Sequence, residues 1–242
     1  MSNYTITIAG DCAINLVFAN AISDRTSTMV RIASQTLKED PINGITEIVP
    51  TFCSLMICYN PIIIPFENLC LALEGKLKGL SAEQTQMKKI TLIPVCYGGA
   101  FGPDLEFVAK KCNLSCEEVI KIHSEKDYLI DMMGFLPGFA YLGGLDPRLH
   151  VPRLDSPRTL IEAGSVGIGG GQTGIYPLAS PGGWQLIGRT PIKPYDTNRA
   201  EPILYKAGEY LRFVPITLDE FVAIEMKQSA SAYECTVIIE GI

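Results

Sequence analysis

The sequence has only two histidines and one tryptophan among its 242 residues, and it lacks any excess of positive charge. The formal net charge is −6 at pH 7, whereas a surface that binds nucleic-acid phosphates is basic, so we expect no nucleic-acid partner. Apolar runs such as Leu55–Cys58 are far shorter than the ~20 residues that span a bilayer. The N-terminus shows no basic region followed by an apolar run, so we expect a cytoplasmic protein without a membrane partner.

The eight cysteines are scattered through the chain instead of following a disulfide framework. Most lie in or beside predicted strands or an amphipathic helix, where a free thiol behaves as a small apolar side chain. Cys112, Cys116 and His123 are near one another in sequence, but their spacing matches no common zinc pattern. We therefore expect reduced structural cysteines and no metal site.

The length of 242 residues predicts one large or two modest domains, and the 47% of hydrophobic residues indicates a packed globular protein. Alternating apolar runs and two helical patterns predict the order ββαββα at the N-terminus. The strands are predicted at Tyr4–Ile8, Ile14–Phe18, Ile45–Val49 and Cys53–Tyr59, and the helices at Asp24–Glu39 and from Pro65, with Leu69, Leu73 and Leu77 buried. The polar segment Gly79–Lys88 indicates a linker, so residues 1–89 are predicted to form a small α/β domain.

The second domain, residues 90–242, is predicted to be a β-barrel, which makes the overall fold class α+β. Of the 22 glycines, 13 fall between Gly134 and Gly188, which favours short strands with tight corners over long helices. Other predicted elements are a strand at Leu92–Tyr97, a short helix from Pro103 to Val108, a capping box at Ser115–Glu118, a strand at Tyr210–Val214, a helix at Leu218–Met226 and a final strand at Thr236–Ile239. The final strand could belong to this domain or rejoin the first one.

The stretch Gly169–Gly174 is the first candidate site. Its backbone amides could form a concave nest for an anion, or the glycines could simply shape a turn in the barrel. It is not a Walker motif, since it has no P-loop lysine and Ile175–Pro177 does not begin a helix. Gln172 and Thr173 are expected to project from this turn, where binding groups commonly lie. Trp184 could equally fill the core or form the wall of a ligand site.

Charged groups near this stretch complete the candidate site. His150 follows Arg148 and could act as a general base, although it could also be an ordinary loop histidine. Asp146 with Pro147 favours an Asx turn. Arg148, Arg153, Arg158 and Arg189 could pair with an anionic substrate. No nucleophile motif is present, so spacing and composition alone name no reaction.

Three long motifs resemble a known family. They are Gly134–Arg148, Ala163–Pro177 and Ser180–Pro191, and further matches occur at Ile48–Thr51, Tyr97–Leu105 and Glu118–Ile120. Together they are similar to the family that comprises the B subunit of 5-oxoprolinase, the KipI-type kinase inhibitors and allophanate hydrolase subunit 1. The resemblance covers nearly the whole chain and implies a cyclophilin-like β-barrel as the second domain.

The resemblance also implies a function. We expect the B subunit of an ATP-dependent 5-oxoprolinase, which converts 5-oxo-L-proline to L-glutamate only together with the A and C subunits of that enzyme. ATP and Mg²⁺ are expected to be bound jointly with the C subunit. The expected catalytic residues are His150, Gln172 and Arg148. The expected substrate-binding residues are Phe135, Tyr141, Gly170, Gly171, Thr173, Tyr176, Gly182, Gly183 and Trp184.

Two other roles within the family stay open at this point. A KipI-like chain would bind a sensor histidine kinase and block its autophosphorylation, and a third possibility is half of a urea-carboxylase-type carboxyltransferase. One departure from the family pattern stands out: the family has Tyr-Gly-Gly-Glu where this chain has Ala100 in the last place. Any chemical role of that glutamate is therefore in doubt here.

Overall fold

The computed structural model describes residues 4–21, 23–80, 87–229 and 234–241. The chain divides into two compact units, Met1–Thr85 and Gln86–Ile242. The predicted linker Gly79–Lys88 falls largely outside the described residues. Lys88 and Lys89, which the sequence placed at the end of the first domain, lie in a strand of the second unit. Within the described parts of the chain, no helix is both long and apolar enough to cross a bilayer.

The first unit has the predicted order ββαββα. Its elements are β1 (Thr5–Ile8), β2 (Ala13–Val17), α1 (Asp24–Glu39), β3 (Ile45–Pro50), β4 (Ser54–Tyr59) and α2 (Phe66–Lys76). The strands form one antiparallel sheet in the order β1-β2-β4-β3. Alternate residues of the two central strands face the core, among them Ile14, Leu16, Leu55 and Ile57, as the period of two in their sequences predicts.

Both helices of the first unit pack an apolar face into that core. Leu37 on α1 and Leu69 and Leu73 on α2 are buried. The side chain of Ser23 caps α1 by accepting a hydrogen bond from the backbone N–H of Thr26. Pro65 is the N-cap of α2 instead of its first helical residue, so the prediction was one position early.

The second unit contains ten strands and three α-helices in its described residues. The elements are β5 (Met87–Tyr97), α3 (Leu105–Cys112), α4 (Cys116–Ser124), β6 (Asp127–Met133), β7 (Ala140–Leu142), a 3₁₀ turn (Pro147–Leu149), β8 (Arg158–Ile161), β9 (Ser165–Gly169), β10 (Gln172–Ile175), β11 (Ser180–Gly182), β12 (Gln185–Arg189), β13 (Tyr210–Pro215), α5 (Leu218–Ser229) and β14 (Val237–Gly241). This composition agrees with the predicted fold class.

Seven strands close into a barrel, which confirms the predicted β-barrel. The order runs β12-β9-β10-β7-β6-β13-β5, and β5 pairs back with β12. All neighbours are antiparallel except β13 and β5, which are parallel. The interior is filled by apolar side chains such as Ile93, Val166, Ile168 and Phe213. Strands β8 and β11 form a separate two-stranded sheet.

Of the two alternatives for the last strand, the structure supports its place in the second domain. Strand β14 pairs antiparallel with β5, with Ile238 opposite Ile90, and so belongs to the second unit. An ion-pair cluster crosses this edge of the sheet. Asp127 on β6 accepts hydrogen bonds from Lys88 and Arg212, and these bonds outweigh the effect of burial and lower the pKa of the Asp127 carboxyl.

The helix α4 begins at the predicted capping box. The Ser115 hydroxyl accepts from the Glu118 N–H at 3.1 Å, and the Glu118 carboxylate accepts from the Ser115 N–H at 2.8 Å. The helix buries Val119 and His123 on the side that faces the barrel. It thereby delivers one of the two histidines to the interior of the second unit.

Removing this cap should destabilise the second unit. Ser115→Ala leaves helix-start amides without their partner, so the free energy of unfolding should fall by about 1 kcal/mol. Chemical denaturation followed by the fluorescence of Trp184, the chain's sole tryptophan, measures this value. Ser124→Ala, at the other end of the same helix, is the control and should cost less. Equal losses in the two variants would contradict the capping role.

Candidate functional site

An aromatic cleft opens on the second unit beside the barrel. Its volume is about 270 Å³. It is lined by aromatic side chains, small turn residues and a single charged side chain: Phe135, Phe139, Tyr141, Arg153, Pro157, Tyr176, Pro181, Gly182, Gly183 and Trp184. Concave, mostly apolar sites of this kind are typical of small-molecule binding. Six of the residues that the sequence analysis singled out for substrate binding come together here: Phe135, Tyr141, Tyr176, Gly182, Gly183 and Trp184.

The indole of Trp184 forms the floor of the cleft and packs against glycines of β9 and β10. A Cβ atom on Gly169 would overlap the indole ring, and one on Gly174 would lie 3.1 Å from Cζ3 of that ring. A Cβ on Gly167 would lie 3.2 Å from the Cβ of Trp184. The glycines of this motif therefore make room for Trp184, which is 4% exposed. Trp184 therefore fills part of the core, as one sequence alternative predicted, and it also lines the cleft, while its role in ligand binding stays a prediction.

The remaining aromatic rings brace one another around this floor. Phe139 lies at the centre and makes edge contacts with Tyr176 at 5.6 Å and with Trp184 at 5.7 Å between ring centroids. Burial raises the pKa of Tyr176, so its hydroxyl stays protonated at neutral pH. These edge-to-face contacts fix ring orientation, so the wall of the cleft is formed before any ligand arrives.

A largely buried carboxylate holds the Trp184 segment in place. Asp104, at the start of α3, accepts from the Leu186 N–H at 2.6 Å and from the Arg158 guanidinium at 2.8 Å. Arg158 also donates to the carbonyl of Trp184 at 3.3 Å. The guanidinium of Arg158 thus has fixed partners on both sides and acts as a support for the cleft floor.

Phe135 stands at the rim of the cleft with an unusual backbone. Its φ is 65°, in the left-handed region that favours glycine, and its side chain is 61% exposed. Neither feature contributes much to folding, because the ring gains little from burial and the left-handed backbone costs free energy. Strained residues of this kind concentrate at ligand-binding sites.

A chain of buried hydrogen bonds runs through the barrel behind the cleft. The Thr173 hydroxyl donates to the Gly167 carbonyl at 3.0 Å, so it must accept from Nε2–H of His123 at 2.8 Å. Nδ1 of His123 is then the acceptor for the Tyr97 hydroxyl at 2.7 Å. This order fixes the imidazole as the neutral Nε2–H tautomer. Burial lowers the pKa of His123 to about 3, in agreement with a neutral ring.

Three predicted binding residues lie away from the cleft. Thr173 is fully buried and its hydroxyl is used by His123 and Gly167, so it is not available to a substrate from the cleft. Gly170 and Gly171 form the two-residue turn between β9 and β10. The Gly170 amide donates to the Val151 carbonyl at 2.8 Å, so this amide is not available to an anion, which favours the turn interpretation.

The three predicted catalytic residues also lie outside the lining of the cleft. Gln172 is half-buried and pairs with Gly169 across the hairpin. His150 is exposed, rests against Gly171 and donates from Nε2 to the Leu145 carbonyl at 3.3 Å. Arg148 makes a two-pronged ion pair with Asp146, and that bond lowers the pKa of the Asp146 carboxyl to about 2. Asp146 also accepts from the Arg148 amide, which is the expected Asx turn.

The lining of the cleft does not fit Mg²⁺–ATP. A triphosphate needs several cations, and Mg²⁺ needs carboxylate ligands, whereas the lining offers Arg153 and no carboxylate. In the described parts of the chain, no group of three or more His, Cys, Asp or Glu side chains could hold a metal ion. His123 has both ring nitrogens in hydrogen bonds, and the eight cysteines are free thiols.

Other residues of the site were not singled out from the sequence. Phe139 lies inside one of the family motifs and Pro157 and Pro181 lie near the glycines, but nothing in their spacing separates them from core and turn residues. Arg153 was one of four candidate arginines. Ala100, where the family has a glutamate, is exposed after β5 and does not line the cleft.

Comparison with known sequences gives consistent relatives. The family model of the carboxyltransferase domain, subdomain C and D, matches residues 4–205. The 5-oxoprolinase B subunit of Bacillus subtilis (strain 168) is 42% identical over 230 residues, which cover 91% of this chain and 96% of that protein. The protein of the same name from Escherichia coli O157:H7 is 58% identical over 123 residues, 51% of this chain and 56% of that protein.

Solved structures agree with the fold. The structure of TTHA0988 has a TM-score of 0.75 at 33% identity over 85% of this chain, and this chain covers 40% of it. The Kluyveromyces lactis urea carboxylase has a TM-score of 0.80 over 99% of this chain at 20% identity, and this chain covers 24% of it. The latter likeness shows the fold alone. The chain thus spans less than half of each of these solved chains.

The buried His123 should make the second unit sensitive to acid. Between about pH 6.5 and pH 3 the unfolded chain binds a proton at this position that the folded chain does not, so stability falls as pH falls through that window. The contribution is at most about 1.4 kcal/mol per pH unit, and it vanishes above pH 6.5. The free energy of unfolding, measured with urea between pH 5 and pH 8, should change less steeply with pH in His123→Gln than in the wild type. His150→Gln, at the exposed histidine, is the control, and a slope unchanged by His123→Gln would refute the assignment.

Adding a methyl group beneath Trp184 should damage the cleft. Gly169→Ala forces the indole to move, and crowding of this kind costs about 1–3 kcal/mol. The tryptophan emission should shift to longer wavelength as the ring becomes wetter. Gly75→Ala in α2 has open space around the new methyl group and should be neutral or stabilising by up to about 1 kcal/mol. An unshifted spectrum in Gly169→Ala would show that the glycine does not hold the indole.

Proposed function

The chain belongs to the carboxyltransferase-domain family that includes the B subunit of 5-oxoprolinase, and from this membership we propose that it is that component of an ATP-dependent 5-oxoprolinase. In this role it would convert 5-oxo-L-proline to L-glutamate together with the A and C subunits. Its sequence relatives carry that name at 42% and 58% identity. We propose that the protein acts in the cytoplasm, because the reducing conditions there suit its eight free thiols.

The observation that carries the proposal is a binding cleft without catalytic groups. The lining includes no carboxylate, histidine, serine or cysteine that could act as base or nucleophile. The imidazole of His123 is buried in the barrel with both nitrogens occupied. Such a cleft can hold and orient a small cyclic substrate, and in the proposed enzyme a second polypeptide would bring the reacting groups. This is what a shared active site requires of one of its members.

The chemistry of the reaction agrees with such a division. A lactam is a poor electrophile, and phosphorylation of its oxygen supplies a leaving group that lowers the barrier to attack by water. Phosphoryl transfer depends on positioning and charge stabilisation more than on a covalent nucleophile. The residues of this chain would hold the ring against Trp184 and keep water from its buried side. Because the lining does not suit Mg²⁺–ATP, the proposal assigns the triphosphate contacts to the partner.

The cleft can be tested with two exposed phenylalanines. In an assembly of this chain with the A and C subunits, Phe135→Ala should lower 5-oxoproline-dependent ATP hydrolysis at least about tenfold, because it removes a rim of the cleft. Its stability should hardly change, since the ring is 61% exposed and the backbone is left-handed.

Phe107→Ala is the matched control for this experiment. Phe107 lies on α3 in the same unit, is 47% exposed and does not line the cleft, so the variant should keep wild-type turnover. If the wild-type assembly showed no ATP hydrolysis in response to 5-oxoproline, the proposed function would be wrong. If both variants retained full activity, the reaction would take place elsewhere than this cleft.

A further inference from the structure

The cleft carries one charge, and it is positive. Arg153 is the sole charged residue in the lining, although the chain as a whole has a net charge of −6. The other lining residues supply rings, prolines and glycines. A ligand that suits this lining has a small ring with an apolar edge and one negative group. The walls of the cleft favour the ring, and Arg153 alone favours the negative group.

The backbone on both sides of Arg153 is held firmly. The carbonyl of Val151 accepts from the Gly170 amide at 2.8 Å, and the carbonyl of Pro152 accepts from the Gln185 side-chain amide at 3.1 Å. The amide of Leu154 donates to the Gly183 carbonyl at 2.7 Å. Two of these bonds reach the strand and the turn that flank Trp184. The Arg153 side chain therefore starts from a fixed point at the cleft.

The guanidinium of Arg153 has no ionic partner in the described parts of the chain. Its Cζ lies 5.9 Å from the centre of the Trp184 ring, which is a weak attraction that leaves its N–H groups open to a ligand. The neighbouring Arg158 is different, because it is bound to Asp104 and to the Trp184 carbonyl. Of these two arginines, one supports the floor of the cleft and the other is available.

Resting on the proposed function, we propose that Arg153 binds the carboxylate of 5-oxo-L-proline while the aromatic walls hold its ring. A guanidinium matches a carboxylate with two parallel hydrogen bonds, which fixes orientation as well as position. The carboxylate and the lactam carbonyl are attached to ring carbons on opposite sides of the nitrogen. Anchoring the first at Arg153 directs the second away from it, toward the groups that a partner polypeptide supplies.

Kinetics of the assembled enzyme test this assignment. In the complex with the A and C subunits, Arg153→Gln should raise the KM for 5-oxo-L-proline about 10- to 100-fold, because a charge-assisted bidentate contact is lost. The kcat should change much less. Arg153→Lys keeps the charge but not the planar fork, so its KM should lie between those of the wild type and Arg153→Gln. Lys110→Gln, an exposed charge removal on α3, is the control and should leave both constants unchanged.

A substrate analogue separates carboxylate binding from general damage. The ratio of kcat/KM for 5-oxo-L-proline to that for 2-pyrrolidinone, which lacks the carboxylate, does not depend on how much of a variant is folded. This ratio should drop at least about tenfold in Arg153→Gln. An unchanged ratio in an active variant would overturn the role of Arg153 and leave the proposed function intact. An inactive wild-type assembly would instead contradict both.

Discussion

The contact between the indole of Trp184 and the glycines of β9 and β10 is the constraint on which the site depends. A large ring can come this close to two strands only where those strands carry no side chains on the facing side. Two further glycines, Gly170 and Gly171, form the tight turn at one end of the hairpin. Once the ring is seated, Phe139 and Tyr176 pack against its edges, and Asp104 and Arg158 hold the adjoining backbone. The cleft is therefore a consequence of how the barrel accommodates one residue.

The barrel separates two kinds of polar group. Inside, Tyr97 donates to His123, His123 donates to Thr173, and Thr173 donates to a backbone carbonyl. Each O–H or ring N–H donor of these side chains is therefore in use. Outside, the cleft presents Arg153 without an ionic partner among the described residues. The histidine, which is the residue type most often used as a general base, is thus committed to structure. In the proposed function the chain therefore contributes binding and orientation.

The sequence predicted those features that are encoded locally. Alternation in β2 and β4 and the capping box at Ser115 depend on residues a few positions apart, and both were found where expected. The glycine-rich stretch indicated a barrel because short strands with tight corners need glycine. The sequence could not predict the hydrogen-bond partners of His123, because Tyr97 and Thr173 lie 26 and 50 positions away along the chain. The same reason accounts for Thr173, which looked exposed within its turn and is buried by α4. The pairing of the last strand could not be predicted either, because many strands could accept a short apolar segment at their edge.

The strand order has a consequence for how the protein folds as it is made. The sheet of the first unit is complete by Tyr59, so it can form early in synthesis. In the second unit, β5 is the first strand to be made, yet its neighbours are β12, β13 and β14, and Ile90 pairs with Tyr210 and Ile238. The end of this apolar strand therefore stays unpaired until β12 has been made about ninety residues later, and its start stays unpaired for about 120 residues, until β13 has been made. Such long-range pairing is slow and leaves an unpaired strand edge that is prone to aggregation. The second unit is therefore the part of the chain that chaperones would need to protect.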